Sequence, residues 1–149
     1  MNIKIKKMTE FAILPYKGTE GAAAYDLAVP TNVNVCYGRQ TIPLGFAIEL
    51  PKGYCAEIHP RSGFASKGMT DDGGNRRNAD VIYGLIDSDY RGEVCVIVNN
   101  KSLPGFQISV GTRIAQMVIR RVEDVEFTEV DELSETERGE GGFGSTNKE

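Results

Sequence analysis

Turn formers recur roughly every 8 to 12 residues along this chain, and that spacing limits what it can build. Pro30, Gly38, "PLG" at 43–45, "PKG" at 51–53, "DDGG" at 71–74, "NN" at 99–100 and "PG" at 104–105 supply the breaks. Between them apolar and polar residues alternate, as in "NVNVC" (32–36) and "FQISV" (106–110). "EVCVIVNN" (93–100) is apolar almost throughout, as expected of a strand buried on both faces. No stretch keeps a 3.6-residue apolar period long enough for a major helix. The pattern predicts an all-β chain, a sandwich or barrel of short antiparallel strands.

At 149 residues one domain and one core are expected. Two segments fall outside the strand rhythm. "SKGMTDDGGNRRNAD" (66–80) is polar and glycine-bearing and reads as an exposed loop. After "VEFTEV" (125–130) comes acidic sequence too poor in apolar residues to offset the entropy of ordering. The expectation is a body over residues 1–133 and a mobile glycine-rich C-terminal arm over 134–149.

Whole classes of function drop out on composition. Cys36, Cys55 and Cys95 are odd in number and lack paired spacing, which argues against a disulfide framework or zinc knot. His59 is the only histidine, so a protein-built transition-metal centre or a Ser–His nucleophile pair is not expected. A net charge of −4 argues against broad nucleic-acid binding. No apolar run approaches the roughly 18 residues of a membrane span. "MNIKIKKMTE" lacks the apolar stretch of a secretory signal. An intracellular protein is expected, cytoplasmic, or nuclear in a eukaryotic or viral-host setting.

Any anionic ligand must then be small and held by a few aimed donors. Three stretches supply such donors. In "RGEGGFGSTN" (138–147) the glycines let backbone N–H groups face an anion, Arg138 brings a planar fork, and Phe143 offers a stacking face. Gly139, Gly141 and Gly144 match the dinucleotide pattern G-x-G-x-x-G, but the strand and helix that pattern requires around it are missing. "PRSG" (60–63) joins a guanidinium, a hydroxyl and a glycine in Arg61, Ser62 and Gly63. "GLIDSDYRGE" (84–93) delivers Asp87 to a strand end, where Asp87 is expected to be buried and Asp89 to face solvent. A carboxylate held near bound phosphates can act as general base toward water.

"GAAAYDL" (21–27), "PRSGFA" (60–65), "GLIDSDYRGE" (84–93), "GTRIAQMVI" (111–119) and "RGEGGFGSTN" together resemble the five ordered motifs of the trimeric dUTPase family. That resemblance implies a β-clip, jelly-roll-like distorted barrel assembled as a homotrimer with sites shared between subunits. It implies Mg2+-dependent hydrolysis of dUTP to dUMP and pyrophosphate, which limits uracil in DNA and supplies dUMP for thymidylate. Carried over by motif, Asp87 would deprotonate the attacking water. Asp26 would lie near the metal's water shell and pair with Arg61, the ion being held mainly by substrate phosphates. Ser62, Gly63 and Gln116 would contact phosphates, and Tyr90 would pack on the deoxyribose. Backbone groups of a hairpin around 81–85, including Gly84, Leu85 and Ile86, would read the uracil with Cys95 nearby. Phe143 would cover the base, while Arg138 and Gly144 would close on the phosphates.

The sequence departs from the family pattern at Ala24, Phe64 and Asn147. The stretch between Ser62 and Asp87 is also about eight residues longer than expected, an excess assigned to "DDGGNRRN" (71–78). Two other readings fit parts of the chain. A dCTP deaminase shares the fold but has less need of the Asp-x-x-Tyr-Arg-Gly stretch and the Arg–Phe arm. A nucleotide-responsive interaction protein would make use of the long 66–80 segment.

Overall fold

The computed structural model describes residues 1–142. The chain opens with β1 (Lys4–Lys7), β2 (Tyr25–Ala28), β3 (Val33–Val35), β4 (Gly38–Pro43), β5 (Phe46–Glu49) and β6 (Tyr54–Pro60). A six-residue helix, α1 (Ser62–Lys67), follows, then β7 (Met69–Thr70), β8 (Arg76–Arg77) and β9 (Ala79–Ile82). The last strands are β10 (Gly84–Ile86), β11 (Cys95–Asn100), β12 (Phe106–Ile108) and β13 (Arg113–Arg121). The expected all-β, jelly-roll-like architecture is present, as separate small sheets rather than a closed barrel.

Two sheets frame the molecule. One has the order β10-β6-β13-β2 and the other β4-β11-β9, with antiparallel pairing throughout. Between them lies a core that includes Phe46, Ile42, Leu44, Val96, Val98 and Ile114. Each such side chain contributes about 1.5–3 kcal/mol by leaving water. Alternation placed β3 and β12 correctly: Val35, Phe106 and Ile108 are buried, while Asn34 and Gln107 are exposed. Buried Asn100 is satisfied, its amide donating to the Val35 carbonyl and its oxygen accepting from the Ser102 N–H. Among the described residues no helix is long and apolar enough to cross a membrane.

The structure corrects the sequence reading in three places. β11 is not buried on both faces, because Ile97 points outward and is 38% exposed. The 66–80 segment is not a free loop: it forms the end of α1 and a two-stranded hairpin, β7–β8, whose Met69 is fully buried. The 81–85 stretch is not a hairpin, since β9 pairs with β11 and β10 with β6, leaving Tyr83 at a corner between sheets. After β13 the chain runs on without further strands through residue 142, and within one chain Val125 and Phe127 are exposed.

Candidate active site

The corner at Tyr83 opens the first cavity. β9 follows β11 only as far as the Ile82–Ile97 pair, after which β10 crosses to β6. The gap left between β10 and the start of β11 is a cavity of about 300 Å3, lined by Gly84, Leu85, Ile86, Asp87, Tyr90 and Cys95 among others. β10 is an edge strand, so half its backbone N–H and C=O groups face this gap without ladder partners. At β11, Cys95 is paired only on its β4 side. A flat ligand with hydrogen-bonding edges suits these walls.

The turn after β10 is held by its own sequence. The Tyr90 N–H donates to the Asp87 carbonyl (3.2 Å), and Arg91 donates to the carbonyls of Ser88 (2.7 Å) and Tyr90 (2.9 Å). The Tyr90 hydroxyl reaches the Glu93 carbonyl at 3.1 Å, laying the ring across Gly92. A Cβ on Gly92 would fall 2.3 Å from that hydroxyl, so the glycine is what lets the ring lie there. Asp87 is exposed like Asp89, contrary to the expectation of burial. The strand ends at Ile86, the last inward-facing residue, and the turn carries Asp87 out of the core. Its carboxylate nevertheless acts on a neighbour: burial first, then Glu57 and Asp87, push the Cys55 thiol up.

A second cavity of about 800 Å3 opens past the C-terminal end of β6 and reaches back along β13 to Arg120. Arg61, Ser62 and Gly63 enter it from the β6–α1 junction and Gln116 from β13. Asp26, opposite Gln116 in the β2–β13 register, is the hub. It binds Arg61 Nε at 3.0 Å, as the sequence suggested, and also Arg113 at 3.0 Å, which the sequence did not suggest. Gln116 donates to the Pro60 carbonyl at 3.0 Å. A Cβ on Gly63 would meet nothing within 4 Å, so the fold itself makes no demand for glycine there. His59 and Arg120 border the same cavity, where both bond Glu57 at 2.9 and 3.2 Å. The His59 bond, then Arg120, hold the Glu57 carboxyl below its usual range against the opposing effect of burial.

The two cavities share no lining residue among those described. Ile86 pairs with Ala56, while Ser62 lies beyond Pro60. Along β6 the Ala56 and Pro60 positions are four strand steps of about 3.3 Å apart, roughly 13 Å.

The sequence model of the dUTPase family matches residues 10–147. The chain belongs to the dUTPase family. A deoxyuridine 5'-triphosphate nucleotidohydrolase from Nautilia profundicola is 46% identical over 152 residues, covering 99% of this chain and 100% of the relative. The mitochondrial deoxyuridine 5'-triphosphate nucleotidohydrolase of Dictyostelium discoideum is 42% identical over 144 residues, 96% of this chain and 75% of the relative. Among solved structures, the dUTPase of Staphylococcus bacteriophage 80alpha with dUPNHPP superimposes with a TM-score of 0.85 at 25% identity, covering 99% of both chains.

Of the motif residues, the structure gathers Gly84, Leu85, Ile86, Asp87, Tyr90 and Cys95 in one cavity. Asp26, Arg61, Ser62, Gly63 and Gln116 lie in the other. Arg138 is in neither; it is exposed and donates to the Gly141 carbonyl at 2.7 Å. Phe143 and Gly144 lie outside the described residues. Arg91 and Gly92, which set the turn, and Arg113 stand in quoted motifs, but nothing in the sequence marks the contacts they make.

Proposed function

We infer that this chain hydrolyses dUTP to dUMP and pyrophosphate in a homotrimer whose sites each combine the Asp87 cavity of one subunit with the Asp26 cavity of another. The observation that carries this reading is the separation of the two half-sites along β6. Each half is chemically coherent but incomplete, and a second copy supplies what the first lacks.

In the Asp87 cavity, unpaired backbone groups of β10 meet the polar edge of uracil. Cytosine presents a donor where uracil has an acceptor and leaves buried groups unpaired. Tyr90 packs on the deoxyribose. Asp87, exposed at the end of β10, takes a proton from a water aimed at phosphorus. In the Asp26 cavity, Ser62, Gly63 and Gln116 bind phosphate oxygens, with Gly63 leaving the close approach open. Arg61 and Arg113, fixed by one carboxylate, hold a positive rim around them. The arm of residues 134–149 closes the site through Arg138, Phe143 and Gly144, while residues 1–133 form the body.

Among the described residues no cluster of three or more metal-binding side chains exists. An Mg2+ carried mainly by the triphosphate would need few protein ligands, and Asp26, in the same cavity as Ser62 and Gln116, would be the carboxylate near its water shell. When bound, the ion neutralises charge on the phosphates. A cytoplasmic location agrees with the reduced-thiol character of its three unpaired cysteines.

Pyrophosphate release is the test, measured with purified protein across deoxy- and ribonucleoside triphosphates with and without Mg2+. Selective release from dUTP is expected; ammonia release from dCTP without pyrophosphate would replace this reading with a deaminase. Asp87→Asn should keep dUTP binding within about threefold and lower kcat by about 100-fold or more. Turnover at the unmodified rate would remove Asp87 from the mechanism.

A further inference from the structure

The residues in excess of the family pattern bring a guanidinium to the phosphate cavity. "RR" at 76–77 forms β8, and successive strand residues point to opposite sides. Arg77 turns inward: its Nε bonds Asp71 at 2.7 Å, and its guanidinium lies 5.8 Å from the centroid of the Phe106 ring. Arg76 turns the other way and lines the cavity that holds Arg61, Ser62 and Gln116.

The hairpin that carries Arg76 is anchored. Met69 is buried in the core, and the Asp72 N–H donates to the Gln107 carbonyl at 3.0 Å. Asp71 closes the turn by accepting from the Asn75 N–H at 2.8 Å. Arg76 itself is steadied by a 2.8 Å bond from one terminal nitrogen to the Thr70 hydroxyl, across the β7–β8 pair. Its Nε and other terminal nitrogen make no hydrogen bond to any described residue.

Charge pairing separates Arg76 from the other arginines of the cavity. Arg61 and Arg113 share the Asp26 carboxylate, and Arg120 is held by Glu57. Among the described residues, Arg76 is the cavity's arginine without a carboxylate partner. Its charge is therefore unpaired among the described residues and faces the cavity that holds Ser62, Gly63 and Gln116.

We propose that Arg76 is an additional binding residue for the phosphate chain of the substrate and for the released pyrophosphate, contributed by the β7–β8 hairpin. This rests on the reading of the second cavity as the phosphate half-site. Such a contact acts on binding, so it lowers KM and leaves the chemical step alone.

Steady-state dUTP hydrolysis and calorimetric binding of inorganic pyrophosphate to the full chain test it together. Arg76→Ala should raise KM and the pyrophosphate Kd by about tenfold, with kcat within about twofold. Arg76→Gln, which keeps a donor for Thr70, should do the same, and Arg76→Lys should recover part of the loss. Arg39→Ala removes an equal charge from exposed β4 and should change neither quantity. Unchanged KM and pyrophosphate Kd in Arg76→Gln would overturn the proposal, as would an equal effect from Arg39→Ala. If the unmodified protein released no pyrophosphate from dUTP, the site reading would fall, and the pyrophosphate Kd values would still decide the role of Arg76.

Discussion

Asp26→Asn is the substitution through which the phosphate half-site can be weighed. The carboxylate side chain is 12% exposed and holds two guanidinium groups, each at 3.0 Å, with Arg61 29% and Arg113 42% exposed. Removing one member of a fully buried pair costs about 3–5 kcal/mol, because a charge is left without a partner. An exposed pair is worth about 0–1 kcal/mol. Asp26 lies nearer the first limit and Arg113 nearer the second, which suggests about 2–3 kcal/mol in all. The amide keeps the shape but leaves two like charges facing each other across the cavity. At about 2–4 °C per kcal/mol for a chain of this size, Tm should fall by roughly 5–10 °C. Added sulfate or pyrophosphate should restore part of the loss by occupying the cavity. Scanning fluorimetry with and without pyrophosphate measures both effects. A Tm within about 1 °C of the unmodified protein would show that the two ion pairs are solvent-screened and that Asp26 does not organise the cavity.

Other predictions concern the hairpin beside it. Gly68 adopts φ 74°, and a Cβ there would fall 2.1 Å from the Arg77 carbonyl oxygen, so Gly68→Ala must displace β8. It should destabilise the fold by about 2–4 kcal/mol in urea titration and raise KM for dUTP along with it. The Asn75 N–H, and after it the bonds from Arg77, hold the Asp71 carboxyl below the usual range against the effect of burial. This stabilisation is fully present above about pH 4, the ordinary aspartate value, and is lost as pH falls through the lower folded value. Hydrogen exchange at the Asn75 amide should therefore accelerate, relative to its intrinsic rate, as solutions are acidified below about pH 4. In Asp71→Asn that acid-dependent step should vanish; if it persists, another group governs the hairpin.

Alternation made the strands legible wherever one face meets the core and the other meets water, as at Val33–Val35 and Phe106–Ile108. β11 misled because an apolar residue can face a ligand cavity as readily as a core, and Ile97 does so. The β7–β8 hairpin was hidden because its pairing spans two residues a side and only Met69 carries an apolar signal. The motif residues were readable as types, and the Asp26–Arg61 pair followed from the family resemblance they carry. Asp87 was misplaced because an apolar run ahead of a residue does not tell where the strand stops. The pairing of Arg113 with Asp26 is a cross-strand contact over 87 residues of sequence, which spacing along the chain does not encode.

The distance between the two half-sites along β6 also bears on how damage to this protein would be inherited or masked. If sites are shared between subunits as proposed, a subunit carrying Asp87→Asn would still offer an intact phosphate half-site, and one carrying Arg61→Ala an intact base half-site. Mixed one to one and allowed to reassemble, two preparations that are each inactive should regain activity, because roughly a quarter of the sites draw both intact halves. Within a cell holding both forms, two defective copies would then mend one another.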